Sequence, residues 1–229
     1  MEKIAVDAMG GDFAPLEIVL GSIQAVREFK IPVVLVGDKE QILTILKNNH
    51  EENNPLIEIH HASEVIEMGE HPGLAYRKKK DASVSVGARL VRAKECGALV
   101  APGSTGAAVT AGLLGIGRIK GIERPAILTP IPNEKGRYTY LIDSGASAQP
   151  KVETYVQNAI LGYIYASKVA GIKNPRIGLL NIGEEDTKGS PLVTEANKVL
   201  QNQSIIPFSG NAEGRDIMTG EFDVVVTDG

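Results

Sequence analysis

Six short apolar runs in this 229-residue chain each end in glycines and polar side chains suited to holding a small anion. Ile4-Ala5-Val6 runs into Asp7-Ala8-Met9-Gly10-Gly11-Asp12, and Ala98-Leu99-Val100 into Ala101-Pro102-Gly103-Ser104-Thr105-Gly106. Thr139-Tyr140-Leu141-Ile142 leads to Asp143-Ser144-Gly145. Ile177-Gly178-Leu179-Leu180 leads to Asn181-Ile182-Gly183-Glu184-Glu185-Asp186-Thr187-Lys188-Gly189. Ile205-Ile206-Pro207-Phe208 precedes Ser209-Gly210-Asn211-Ala212-Glu213, and Asp223-Val224-Val225-Val226 precedes Thr227-Asp228-Gly229. Paired glycines such as Gly10-Gly11 let backbone N–H groups approach an anion, and a following helix N-terminus adds partial positive charge. In the same turn Asp12 could instead simply cap that helix. Ser104 and Thr105 stand where another helix should begin, as phosphate donors or as a cap alone. Lys188 can neutralise an anion while Asn181 donates or accepts hydrogen bonds.

Several chemistries are excluded by what these tips do not contain. No Gly-x-Gly-x-x-Gly follows the first strand, and no Gly-Lys-Ser/Thr follows the glycines of a P-loop. A Gly-x-Ser-x-Gly elbow is missing, so an acyl-serine route has no carrier. His50, His60, His61 and His71 lack metal-ligand spacing, and Cys96 reads as structural rather than nucleophilic. No metal and no cofactor are called for.

The elements that must position these tips follow from periodicity. Short β-branched runs alternate with amphipathic stretches, the pattern of βα units around a largely parallel sheet flanked by helices. Strands are expected at 3–7, 32–36, 56–60, 97–101, 125–131, 138–142, 176–181, 204–208 and 222–227. Helices are expected at 14–29, 39–50, 83–95, 104–118, 151–170 and 190–202. The 125–142 stretch reads as a local antiparallel hairpin. With ligands bound at the carboxyl ends of the strands, all six tips are expected on one rim. The chain reads as one α/β unit, 1–229, cut short at its C-terminus, with 61–82 an irregular excursion. That excursion carries the one dense basic run, Arg77-Lys78-Lys79-Lys80, which is either a solvated face or a landing patch for an acidic partner.

Composition sets outer bounds. A net charge of −4 argues against a broad nucleic-acid surface. No apolar run approaches the ~20 residues that span a bilayer, and no signal peptide precedes the first strand. A lone cysteine suits a reducing cytoplasm.

Taken in order, IAVDAMGGDFAP, AYRKKKDAS, GLLGIGRIKGIERPA, LLNIGEEDTKG, GNAEGRD and DVVVTDG resemble the bacterial phosphate acyltransferases of phospholipid synthesis, over essentially the whole chain. The resemblance implies a fold like isocitrate and isopropylmalate dehydrogenases and phosphotransacetylase. It implies transfer of a long-chain acyl group from acyl carrier protein to inorganic phosphate, giving acyl phosphate for phosphatidic acid synthesis. On that basis Gly10, Gly11, Ser104, Thr105 and Lys188 are assigned to the phosphate and oxyanion environment. Asp7, Asp143, Asn181 and Asp228 would orient donors or water, with Asp7, Asn181, Lys188 and Asp228 as the catalytic set. Asp12, Gly103, Gly106, Gly145, Gly183, Glu185, Asn211 and Glu213 complete the substrate-binding set, and Arg77 and Lys79 would meet the carrier protein or its phosphopantetheine arm. The chain departs from the family at Ser104 and Ser147, each standing where members usually have Asn. A hydroxyl there reaches less far and lacks the two amide N–H donors. The resemblance further implies a cytoplasmic homodimer, peripherally membrane-associated through a C-terminal element, that feeds a glycerol-3-phosphate acyltransferase. Two readings compete: a phosphotransacetylase-like or dehydrogenase-like relative, and a non-catalytic carrier-protein or anion-binding homologue.

Overall fold

The structure, a computed structural model, describes residues 2–147 and 149–229. The α/β class holds, but the expected single unit resolves into two compact units, Met1–Lys120 and Gly121–Gly229, each with its own sheet.

The first unit carries a four-stranded parallel sheet in the order β3-β2-β1-β4, from β1 (Ile4–Asp7), β2 (Val33–Gly37), β3 (Ile57–His61) and β4 (Ala98–Val100). Burial on both faces explains the uninterrupted apolar runs of β1 and β2, since helices cover each side of a parallel sheet, while the outer strands β3 and β4 are partly exposed. Val6, Ala8, Val33 and Leu35 pack on one face against Val19, Ile23 and Val26 of α1 (Leu16–Phe29) and Ile42 and Leu46 of α2 (Lys39–Asn48). Ala5, Val34 and Val36 turn the other way, toward Val86 and Leu90 in one cluster. The 61–82 excursion contains a helix that the sequence pattern misses, α3 (Pro72–Lys78). His71 caps it by accepting from the Leu74 N–H, and Pro72 takes the first helical position, where a missing N–H costs nothing. Next come α4 (Ser83–Arg92) and α5 (Thr105–Thr110), which runs on as a π-helical segment over Ala111–Ile116.

The second unit has a five-stranded sheet in the order β5-β6-β9-β7-β8: β5 (Leu128–Pro132), β6 (Tyr138–Ile142), β7 (Ile177–Leu180), β8 (Phe208–Ala212) and β9 (Val224–Val226). The expected hairpin is present as the antiparallel pair β5–β6, and the other pairings are parallel. Pro130 and Pro132 are tolerated because β5 is an edge strand, where a missing N–H breaks no ladder. Tyr155 and Ala159 of α6 (Val152–Lys168) and Ala196 and Leu200 of α7 (Pro191–Gln201) close one core with Ile142, Ile177, Leu179, Val224 and Val226. The short α8 (Asp216–Thr219) precedes β9. One strand is displaced from its expected place. β8 begins at Phe208 rather than 204, because Pro207 cannot donate to a ladder and Ile206 turns into the core instead. The Ser209–Glu213 "tip" is therefore mostly strand, with a register shift at Gly210, whose φ of 97° only glycine adopts easily.

Candidate functional site

The rim of the first unit is built where β1 and β4 end side by side. Asp7 lies 4% exposed at the end of β1, its Oδ1 accepting the Met9 N–H at 3.2 Å. Burial pushes its carboxyl above the usual range, partly offset by Ser83 and the Met9 and Gly10 N–H groups. The Ser83 hydroxyl, 1% exposed, forms no hydrogen bond of good geometry among the described residues, so its influence on Asp7 comes from proximity. The two glycine turns touch backbone to backbone. A Cβ on Gly10 would sit 2.7 Å from Asp7 Oδ2 and 2.9 Å from the Gly103 nitrogen, and one on Gly103 3.0 Å from the Gly10 Cα. Glycine at both positions is thus what lets the tips meet.

Several expected binding residues of this unit have other work. Ser104 Oγ accepts the Ala107 N–H at 3.4 Å and so caps α5, while Thr105 opens that helix exposed. Gly106 makes room for the Pro72 ring, a packing role between α5 and α3. Asp12 is exposed and does not cap α1, whose N-cap position is Pro15. Lys79 is paired with Glu70 at 2.5 Å and donates to the Val65 carbonyl at 2.7 Å, which staples the excursion rather than presenting a free charge. Asp81 reinforces that staple by accepting from Ser63 N and Oγ, bonds that hold its carboxyl below the usual range. Arg77, Lys78 and Lys80 stay exposed.

The rim of the second unit centres on the loop after β7. Asn181 closes that loop: its Nδ2 donates to the Lys188 carbonyl at 2.9 Å and its Oδ1 accepts the Ile182 N–H at 2.8 Å. Thr194 Oγ1 donates to the same carbonyl at 3.2 Å, and Lys188 N–H donates to the Glu185 carbonyl at 3.0 Å. The Lys188 stem lies over Gly183, where a Cβ would come 3.1 Å from Lys188 Cγ. Three acids share this loop with Lys188, yet none pairs with it among the described residues. Arg215 takes up the neighbouring carboxylates instead: Glu184 and Glu213 at 3.0 Å and Asp216 at 3.8 Å. The result is an exposed ammonium whose backbone is fixed on both sides and whose charge is unclaimed.

Beside it, β6 and β9 end together. Asp143 is fully buried; Oδ1 accepts the Ile127 and Ala146 N–H groups at 2.9 Å each, and Oδ2 is buried without a partner among the described residues. Its oxygens thus shape the exposed Gly145 turn from within. Asp228 is exposed, with Oδ1 accepting from Thr227 Oγ1 at 3.1 Å, and a Cβ on Gly229 would lie 2.5 Å from the Ser147 carbonyl oxygen. Burial, with the Asp228 charge adding, pushes the Tyr155 phenol up to about 12, so it stays a proton donor at neutral pH. Asn211 is 6% exposed with its amide bonded within the unit, which makes it a support rather than a ligand group. Glu213 is held by Arg215, and Glu185 contributes its carbonyl. Tyr155, Asn197 and Arg215 are the residues that sequence reasoning missed. Asn197 carried a legible signal, a polar residue on the buried stripe of Val193, Ala196 and Leu200. Among the described residues, no group of three or more His, Cys, Asp or Glu is placed to hold a metal ion.

Residues 2–229 match the fatty acid synthesis protein family. The chain belongs to this family. Members of the fatty acid synthesis protein family named phosphate acyltransferase include a Pelotomaculum thermopropionicum protein, 50% identical over 99% of this chain and 65% of its own length. One from Aquifex aeolicus is 49% identical over all of this chain and 67% of its own length. One from Desulfitobacterium hafniense is 50% identical, again over all of this chain and 68% of its own. The chain thus spans about two thirds of the length of these relatives. In fold, this family member is similar to a phosphotransacetylase from Streptococcus pyogenes, with a TM-score of 0.69 at 16% identity over 99% of this chain and 77% of that one. A branched-chain phosphotransacylase from Enterococcus faecalis gives 0.64 at 17% over 100% and 79%. At that identity the likeness speaks for the fold alone, which agrees with the phosphotransacetylase-related architecture expected from sequence.

Proposed function

We propose that this protein is a phosphate acyltransferase that moves a long-chain fatty acyl group from an acyl carrier protein thioester to inorganic phosphate. The observation that carries the reading is identity near one half, along the whole chain, with relatives of that name. In the reaction a phosphate oxygen attacks the thioester carbon and a C–O bond forms. The C–S bond then breaks, and the proton carried by phosphate ends on the departing sulfur. Phosphate is itself the nucleophile, so no protein side chain need be acylated. What the protein must supply is placement and charge.

The unclaimed Lys188 ammonium supports a role for that residue in binding phosphate, with Asn181 fixing the loop that carries it. The exposed Asp228 at the end of β9 is proposed to face the reacting groups, with the buried Tyr155 phenol behind it as support. In the first unit, Gly10, Gly11, Gly103 and Thr105 are proposed as an anion-facing turn over Asp7. Exposed Arg77, Lys78 and Lys80 would steer an acidic carrier protein, an effect on encounter rate more than on affinity. The reading extends to supply of acyl phosphate for phosphatidic acid, to a homodimer, and to a cytoplasmic protein bound peripherally to membrane. None of the described helices is long and apolar enough to cross a membrane.

The test is incubation of the intact protein with palmitoyl carrier protein and labelled phosphate. Labelled acyl phosphate is the expected product. Turnover of acetyl phosphate with coenzyme A in its place would move the protein to the phosphotransacetylases, and binding without turnover would remove it from the enzymes.

A further inference from the structure

Behind the Lys188 loop lies a buried pair of amides, Asn197 and Asn211. Asn197, on α7, has no exposed surface and donates through Nδ2 to Asn211 Oδ1 at 2.7 Å. Asn211 in turn donates through Nδ2 to the Glu185 carbonyl at 2.9 Å. That same carbonyl accepts the Lys188 N–H at 3.0 Å. The register shift in β8 at Gly210 pairs Asn211 with Leu179, two residues before Asn181. An amide is the one uncharged side chain of this length that accepts at one end and donates at the other, so Asn211 fits between α7 and the loop as Ser, Leu or Asp would not.

We propose that Asn211, backed by Asn197, is a positioning residue for Lys188. The pair anchors the Glu185 carbonyl from inside the core, and this carbonyl anchors the peptide nitrogen of Lys188. Asn181 and Thr194 hold the Lys188 carbonyl from the other side. The base of the lysine stem is thereby fixed before phosphate arrives, and binding has less chain to order. The exposed Arg215 network touches the same loop at Glu184 but is screened by solvent, so the buried amides carry the greater share. The inference rests on Lys188 as the phosphate-binding cation.

The experiment uses Asn211→Ala, with Asn211→Ser as a second variant, both checked for thermal unfolding and then assayed for acyl-phosphate formation. The expected result is a roughly tenfold rise in the phosphate KM with the KM for palmitoyl carrier protein little changed. In a Lys188→Ala background the same substitution should leave the phosphate KM as it was, because the group being positioned is gone. Calorimetric titration with inorganic phosphate alone should follow the same pattern. If Lys188→Ala raises the phosphate KM and the Asn211 variants do not, or if they act equally in both backgrounds, the positioning role is wrong and the phosphate reading stands. If Lys188→Ala itself leaves the phosphate KM unchanged, that reading falls and the inference with it.

Discussion

At the scale of single residues, two groups with opposite surroundings make separable predictions. Lys188 is exposed, without an ion-pair partner among the described residues and held at its backbone, so its loss should affect binding far more than folding. Lys188→Ala is expected to raise the phosphate KM roughly tenfold to a hundredfold, the range for a hydrogen bond to a charged group, with an unchanged melting temperature. Asp7 is the reverse case. Burial penalises its carboxylate and holds its carboxyl above the usual aspartate range. The protonated form is therefore favoured by folding: that contribution is fully present below about pH 4 and is lost as pH rises through the folded value. Asp7→Asn cannot ionise and keeps an oxygen for the Met9 N–H. Its melting temperature relative to the parent protein should climb between about pH 4 and pH 7, measured by thermal unfolding across that range. A flat difference would mean that the buried carboxylate is not penalised.

At the scale of elements, the meeting of two turns depends on missing side chains. Gly10→Ala puts a Cβ within 3.0 Å of both a carboxylate oxygen and a backbone nitrogen, and the backbone nitrogen cannot swing away. Overpacking of this kind costs roughly 1–3 kcal/mol, so Gly10→Ala should lower the denaturant midpoint, whereas Gly21→Ala on α1, with open space around it, should not. The same elements mark how far the sequence could be read. Eight of the nine expected strands lie within a few residues of their expected places, because such runs flanked by glycine and polar clusters have few other stable fates, while the one expected at 204–208 gives way to β8 at Phe208–Ala212. Where the reading slipped, a local rule had been overlooked: Pro207 delays β8, and the His71 cap with Pro72 starts a helix inside a stretch too irregular for periodicity to flag. The division into two sheets was not legible, since which strands pair is decided by contacts remote in sequence. The site divided in the same manner. Lys188, Asn181 and Asp228 could be nominated from strand-end position, but Ser104 as cap, Lys79 as staple and Asn211 as bracket became visible only with their partners. A side chain's type states what it can bond, and folding decides which partner reaches it first.

At the scale of the whole molecule, each unit closes a core of its own, and the chain passes from one to the other through a segment with little inward-facing surface. Residues 116–121 are exposed, and Gly117 and Gly121 adopt φ values of 111° and 91°, conformations that interrupt regular structure. Arg118 and Lys120 provide tryptic sites in this stretch, whereas Pro125 blocks cleavage after Arg124. Arg77, Lys78 and Lys188 are better protected by backbone bonding. Arg77 and Lys78 lie within α3, and the Lys188 peptide is bonded at both its nitrogen and its oxygen. Cleavage by a protease follows the free energy of local opening, which is lowest where few buried apolar groups and few backbone bonds must be broken. Brief trypsin treatment should therefore cut first at Arg118 or Lys120, leaving fragments whose ends, read by mass spectrometry, fall near the boundary between Lys120 and Gly121. Inorganic phosphate should slow any cut after Lys188 while leaving the boundary cut at its original rate, because the ligand stabilises only the loop that binds it. A first cut at Lys188 or within α3 would mean that one of those elements opens more readily than the connecting segment, and the two cores could not then be treated as the most resistant parts of the chain.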